Sequence, residues 1–213
     1  MILKKRPLNQ QVYEHIKEDI ISGTYVQGQK LVIDELADRL GTSKTPVRDA
    51  VNNLIHEGLL ENTKSEIRVR KLSDEDIKML EEALMSLVLT GYELCIRKGL
   101  KNPLVQSLIL SLKSQYESNF SEHVSEPLNN AMNFDKTFVY TTQNIHLMRT
   151  IDEYMDFFAI MLGNYQSLPE NRAKSLEEHS KILEAVKEDD AELLKVLVAN
   201  HFIDSTLVVK NRW

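Results

Sequence analysis

Residues 41–60, GTSKTPVRDAVNNLIHEGLL, constrain the fold more than any other stretch of the chain. A glycine stops what precedes it and a cluster of hydroxyls and cations starts a helix. That helix carries Val47, Val51, Leu54 and Ile55 as one buried stripe before Gly58 closes it. Pro46 falls in the first turn, where an N–H has no intrahelical acceptor, and its fixed φ stiffens the entry. Ser43 is placed to cap the helix. Thr45 and the free N–H groups of the first turn are placed to hold a phosphate at the positive end of the helix dipole. Lys44 and Arg48 stand four residues apart and so share a face, away from the apolar stripe. A helix that reads DNA needs this division between donors that fix phosphates and side chains that reach base edges. Arg48 suits two-bonded contact with guanine or phosphate, and Lys44 acts as a mobile point charge.

The flanking sequence completes a small domain. A helix is expected from Asn9 to Ser22, with Val12, Ile16, Ile20 and Ile21 on one face, ended by Gly23 and a loop through Gly28. A second, from Asp34 to Leu40, turns Leu36, Ala37 and Leu40 inward and stops at Gly41; the third runs from Ser43 to Glu57. The segment LLENTKSEIRVRKL then reads as strand, polar turn, strand. Helix, helix, turn, helix and hairpin in this order describe a winged helix-turn-helix, whose third helix commonly enters the major groove. The boundary falls at residues 71–73, where Ser73 and Asp76 form a capping box, so residues 1–72 are expected to be the DNA-binding domain.

Residues 73–213 are helical in pattern throughout. Segments are expected at Asp74 to Lys98, Pro103 to Phe120, Glu126 to Gln143, His146 to Gln166, Pro169 to Lys187 and Asp190 to Val209, six helices that suggest a bundle. The fold class is mainly α, an N-terminal winged helix-turn-helix plus a C-terminal all-α bundle. Met79, Met85, Leu87 and Leu94 are expected in the bundle core, as are Tyr154, Phe157, Phe158 and Met161. Cys95, the single cysteine, is expected to be buried and inert, and it excludes an internal disulfide framework. His15 and His56 have no ligand spacing.

The 213 residues suit two domains of ordinary size, and 42% hydrophobic with 27% charged residues is a soluble globular composition. No signal-peptide core follows the basic N-terminus and no window has the ~18 apolar residues of a membrane span, so a cytoplasmic protein is expected. The net charge of -6 is unevenly spread. Residues 1–71 hold 12 Lys or Arg against 10 Asp or Glu, and the remaining 142 hold 14 against 22. An acidic whole therefore does not argue against nucleic acid, because the field near the phosphates is local.

The stretch LVIDELADRLGTSKTPVRDAVNNLIHEGLL resembles the DNA-binding domain of the GntR family of bacterial transcription regulators. In that family a Leu-Ala, a Gly, a Ser-x-Thr-Pro-Val-Arg-x-Ala and a Glu-Gly-Leu follow in this order and spacing. The resemblance implies that Ser43, Lys44, Thr45 and Arg48 contact DNA and that the wing, Glu61 to Val69, adds a minor-groove contact. Lys44 stands where many relatives have Arg. The glycine usual near the wing tip is replaced by NTKSEI, which makes Asn62 and Lys64 the wing contacts.

The C-terminal half resembles the FadR branch of that family through NFDKTFVYTTQN and EEHSKILEAVKEDDAELLKVLVANHF. That branch commonly holds a divalent metal, of the zinc or nickel class, on an Asp, a His four residues later and two further His. Asp135, His179 and His201 fall on three of those positions, and Val139 occupies the fourth. Spacing agrees: His179 and His201 each lie about ten residues from a helix break at Asp189 and Asp190, hence at a similar height of roughly 15 Å. His146 is no substitute, because it would lie about 16 Å along the axis from Asp135. Leu84 stands where acid-sensing relatives carry Arg, so an apolar or uncharged effector is favoured over a carboxylate.

Together these imply a DNA-binding regulator, a repressor, on a pseudo-palindromic double-stranded operator as a homodimer, tuned by a small molecule or metal in the C-terminal effector-binding and dimerisation domain. No membrane role and no enzyme activity are expected. A constitutive regulator that has lost effector sensing is the alternative, with Val139 and Leu84 in its favour. A metal-dependent hydrolase is remote, for want of a general base or nucleophile at a convincing spacing.

Overall fold

The computed structural model describes residues 7–64, 66–121, 125–162 and 168–210, with 204–210 as backbone alone. The chain divides into two compact units, one ending at Leu72 and the other beginning at Ser73.

The N-terminal unit is a winged helix-turn-helix with helices α1 (Leu8–Ile21), α2 (Ile33–Arg39) and α3 (Lys44–His56), and strands β1 (Lys30–Leu31), β2 (Leu60–Thr63) and β3 (Glu66–Val69). Val12, Ile16 and Ile20 of α1 pack with Val47, Ala50, Val51 and Leu54 of α3, all buried, and Leu36 and Ala37 of α2 join them. Ile21, Leu40 and Ile55, expected inward, are half-buried at the edge of this core. Gly41 (φ +61) and Gly58 (φ +79) end α2 and α3 in the same manner. In α3 the Gly58 N–H donates to Ile55 O (3.0 Å) and the Leu59 N–H to Leu54 O (2.9 Å), a six-to-one, five-to-two closure that needs left-handed backbone at the glycine. The sheet has the order β1-β3-β2, all antiparallel, with Leu60 opposite Val69 and Thr63 opposite Glu66. β1, opposite Ile67 and Arg68, was not expected; two residues are too few to show alternation.

The C-terminal unit is an all-helical bundle of α4 (Asp74–Arg97), α5 (Lys101–Ser118), α6 (Ser125–Tyr140), α7 (Ile145–Leu162), α8 (Pro169–Lys187) and α9 (Ala191–Lys210). The expected continuation of α7 to Gln166 lies outside the described residues. The capping box forms: Ser73 N–H donates to Asp76 Oδ2 (2.9 Å) and Asp76 N–H to Ser73 Oγ (3.1 Å). α4 packs on α6, α7 and α9, while α5 and α6 each also touch α8. At Gly91 the α4 backbone comes so near α6 that a Cβ would lie 2.7 Å from Phe138 O. The buried face of α4 is Ile77, Leu80, Glu81, Leu84, Val88, Tyr92 and Cys95. This corrects the expected core: Met79 is exposed, and Met85, Leu87 and Leu94 are only half-buried. Glu75, Lys78, Glu82, Ser86, Thr90, Glu93 and Arg97 form an exposed polar stripe along α4, and the four residues expected inward lie within or beside that stripe rather than opposite it. In α7, Phe158 and Met161 are buried, whereas Tyr154 and Phe157 are half-buried. Burial also pushes the Cys95 thiol above its ordinary range. Among the described residues no helix is long and apolar enough to cross a membrane.

Candidate nucleic-acid interface and candidate metal centre

Helix α3 brings Ser43, Lys44, Thr45 and Arg48 together at one exposed end and along one face. Ser43 takes the N-cap position with extended backbone (φ −77°, ψ 162°), yet its side chain makes no capping bond, contrary to expectation. The hydroxyl is therefore available to a ligand beside the open N–H groups of the first turn. Lys44 does not hang free: its Nζ donates to Asp34 Oδ2 (2.7 Å) on α2, with both side chains exposed. An exposed pair of this kind contributes at most about 1 kcal/mol, little against a phosphate. Arg48 is exposed and bears no ion pair among the described residues. Asn52, one turn further, is exposed on the same face; the spacing of four extended the face to it, and its amide matches adenine.

Asn62 and Lys64 are both exposed in the hairpin, Lys64 at its tip with φ +49°, the left-handed conformation for which relatives have glycine. The cations behind them are engaged. Glu66 accepts from Lys30 Nζ (2.8 Å) and from Arg68 Nη2 (2.6 Å), which together hold its carboxyl below the ordinary range, and Arg68 Nη1 donates to Gly28 O (2.9 Å). Positive charge at the wing thus concentrates at its tip.

In the bundle, α6, α8 and α9 bring Asp135, His179 and His201 to one buried point. The two Nε2 atoms are 3.2 Å apart; His179 Nε2 lies 3.7 Å from Asp135 Oδ1, and His201 Nε2 lies 3.6 Å from Asp135 Oδ2. The opposite ring nitrogens are turned outward to other acceptors. His179 Nδ1 donates to Gln115 Oε1 (2.7 Å), and His201 Nδ1 donates to Glu178 Oε2 (2.8 Å). Phe134 stacks on His179 at 4.1 Å and 14°. Burial, then the neighbouring His201 charge, holds His179 well below the ordinary histidine range. His201 is pulled down by burial, but the Asp135 and Glu178 carboxylates outweigh this and push it up to about 9.

This geometry fits a divalent cation. One oxygen and two Nε2 atoms from three helices lie within 4.8 Å of one another, and each imidazole has its other nitrogen anchored, which leaves Nε2 facing the centre. Val139 and His146 take no part: Val139 is buried and apolar, and His146 is exposed on α7. Leu84 is fully buried on α4, and Glu81, three residues before it, is buried with no hydrogen bond to its Oε1 among the described residues. The sequence reading missed Gln115 and Glu178. Gln115 carried a signal, a polar residue in register with Leu104 and Leu108 on the buried side of α5. Glu178 carried none, since it neighbours His179 in the chain but bonds His201.

Residues 8–66 match the family described as "Bacterial regulatory proteins, gntR family", and residues 129–204 match the "FCD domain". A Bacillus subtilis (strain 168) protein named "Uncharacterized HTH-type transcriptional regulator YdhC" is 27% identical over 206 residues, covering 93% of this chain and 89% of its own. Among solved structures, E. coli McbR/YncC is similar in fold with a TM-score of 0.77 and 19% identity, over 98% of this chain and 99% of that one. Lar, described as controlling expression of the Listeria monocytogenes agr system and mediating virulence, gives 0.68 and 18% over the same shares.

Proposed function

Since this chain belongs to the GntR family of DNA-binding transcriptional regulators and carries an FCD domain, we propose that it acts as a homodimeric repressor on a pseudo-palindromic operator. Each α3 enters a major groove, with Ser43, Thr45 and Lys44 on phosphates and Arg48 on a base edge, while Asn62 and Lys64 reach the minor groove. The observation that carries this reading is the exposed face of α3, where Arg48 stands without an ion pair among the described residues, above two hydroxyls and a helix N-terminus. Asn52 extends the face by one turn.

Residues 73–213 serve as the effector-binding and dimerisation domain. Asp135, His179 and His201 would hold a divalent ion of the zinc or nickel class, which would offer a Lewis-acid point to a ligand donor. Glu81 places an acceptor, rather than a cation, on the buried face of α4 beside Leu84, and this favours an uncharged, donor-bearing effector over a carboxylate. Binding there shifts operator affinity by favouring one arrangement of the dimer.

Operator selection with the full-length protein, repeated with Arg48→Ala, tests the assignment. A selected site should be recovered by the parent protein and bound about tenfold to a hundredfold more weakly by the variant, the range for one base contact of this type. Undiminished specific binding by the variant would remove α3 from the reading.

A further inference from the structure

An imidazole that ligates through Nε2 must keep its proton on Nδ1, and the partner of Nδ1 decides that. We propose that Gln115 is the positioning residue of the candidate metal centre, its side-chain amide holding the His179 proton on Nδ1 and so keeping Nε2 open toward Asp135 and His201. The proposal rests on the reading of Asp135, His179 and His201 as ligands.

Gln115 sits on the inner side of α5 and is 1% exposed, in register with Leu104 and Leu108, where an apolar residue would pack at no cost in lost hydration. Its two ends are both used. Oε1 accepts from His179 Nδ1 at 2.7 Å, and Nε2 donates to Ser175 Oγ of α8 at 3.2 Å. Ser175 is itself buried, so no bulk solvent competes for either bond. His179 is fully buried and stacked face-on against Phe134, which covers one face of the ring.

An amide has two orientations, and they have opposite consequences. With Oε1 toward the ring, Nδ1 carries the proton and Nε2 presents a lone pair. Reversed, the amide N–H would face Nδ1, the proton would move to Nε2, and His179 could not ligate. Ser175 matters because its hydroxyl bonds the far end of the amide, accepting from Nε2 in the first orientation, and so holds the amide within reach of the ring. The arrangement differs at His201, where Glu178 stands behind Nδ1. A carboxylate is acceptor-only on both oxygens, so that tautomer cannot be reversed. The amide behind His179 is thus the element on which competence of the site depends.

Three full-length variants test this, each read by Zn2+ titration against a competing chelator and by 15N NMR of the His179 ring in the metal-free protein. Gln115→Glu supplies an acceptor that cannot reverse, and should keep the Nδ1–H tautomer and at least the parent Zn2+ affinity. Gln115→Met fills similar space without an acceptor, and should weaken Zn2+ by about tenfold to a hundredfold and mix the tautomers. Ser175→Ala should give a smaller change of the same sign, and it carries the test if Gln115→Met does not fold. Parent-like Zn2+ affinity with an unchanged tautomer in both Gln115→Met and Ser175→Ala would reduce Gln115 to packing and overturn the proposal. If the parent protein takes up no Zn2+, the ligand assignment fails by itself; a tautomer change in Gln115→Met then still upholds the positioning role, and an unchanged tautomer overturns it.

Discussion

His179 and His201 stand 22 residues apart in the chain and 3.2 Å apart at their Nε2 atoms. The turn between α8 and α9 makes this possible. Asp189 takes a left-handed φ of +58° and Asp190 Oδ1 accepts the Leu193 N–H (2.9 Å), so α9 starts at once and returns along α8. Two rings equally far from that turn arrive at one depth, where Asp135 of α6 meets both.

Removing one of the three should abolish the site. Asp135→Ala, His179→Ala and His201→Ala should each lose stoichiometric zinc after dialysis, measured by elemental analysis. In the parent protein, zinc at a hundredfold excess over its dissociation constant should add about 2.7 kcal/mol of stability. An equal zinc-induced rise in melting temperature in Asp135→Ala would place the metal elsewhere.

Asp34 restrains a cation that DNA needs. Asp34→Asn frees Lys44 and removes a negative charge near the phosphates, so operator affinity should rise by up to about fivefold, matching the ~1 kcal/mol ceiling of an exposed pair. Fluorescence anisotropy at constant salt measures it. Weaker binding would mean that the pair orients Lys44 rather than withholding it.

Gly91→Ala should loosen the bundle. The added methyl would meet backbone, Phe138 O at 2.7 Å and Val139 N at 3.0 Å, which cannot swing aside as a side chain does. A loss of about 1–3 kcal/mol is expected, read from urea unfolding. An unchanged midpoint would mean that α4 and α6 part at little cost.

Tyr13 ties α1 to the C-terminal end of α3. Its hydroxyl lies 2.8 and 2.7 Å from the two Glu57 oxygens, to which it donates, and it accepts from Lys17 Nζ at 3.2 Å. Burial first, and then the Glu57 carboxylate, push the phenol from 10.0 up to about 12. A folded-state value above the unfolded one means that the contribution is complete below pH 10.0 and is lost as pH rises toward about 12. Tyr13→Phe should cost about 0.5–1.5 kcal/mol at pH 8 and flatten the decline in stability between pH 10 and 11.5, measured by urea midpoints.

Much of the N-terminal unit was legible because its signals are local. A glycine stop, a proline in a first turn and apolar residues at three- and four-residue spacing each constrain the residues beside them, and α1, α2, α3 and the hairpin follow. β1 escaped because Lys30 and Leu31 form a strand only by pairing with β3. The inner face of α4 escaped for a different reason. The polar stripe from Glu75 to Arg97 marks its outer face, and Met79 falls within that stripe, but only packing against α6, α7 and α9 shows that the opposite face takes in Glu81.

The candidate metal residues were legible as three names and an equality of height, since helix rise converts residue number into depth. Their supporting contacts were not. Which carboxylate stands behind which imidazole, and that an amide of α5 reaches His179, depend on how four helices pack side by side. Residue number measures distance along a helix but carries no information about rotation or separation between helices. Local chemistry thus defined the elements, the family resemblance with the helix rise picked out the candidate ligands, and close packing of α5, α6, α8 and α9 supplied the bonds that orient them.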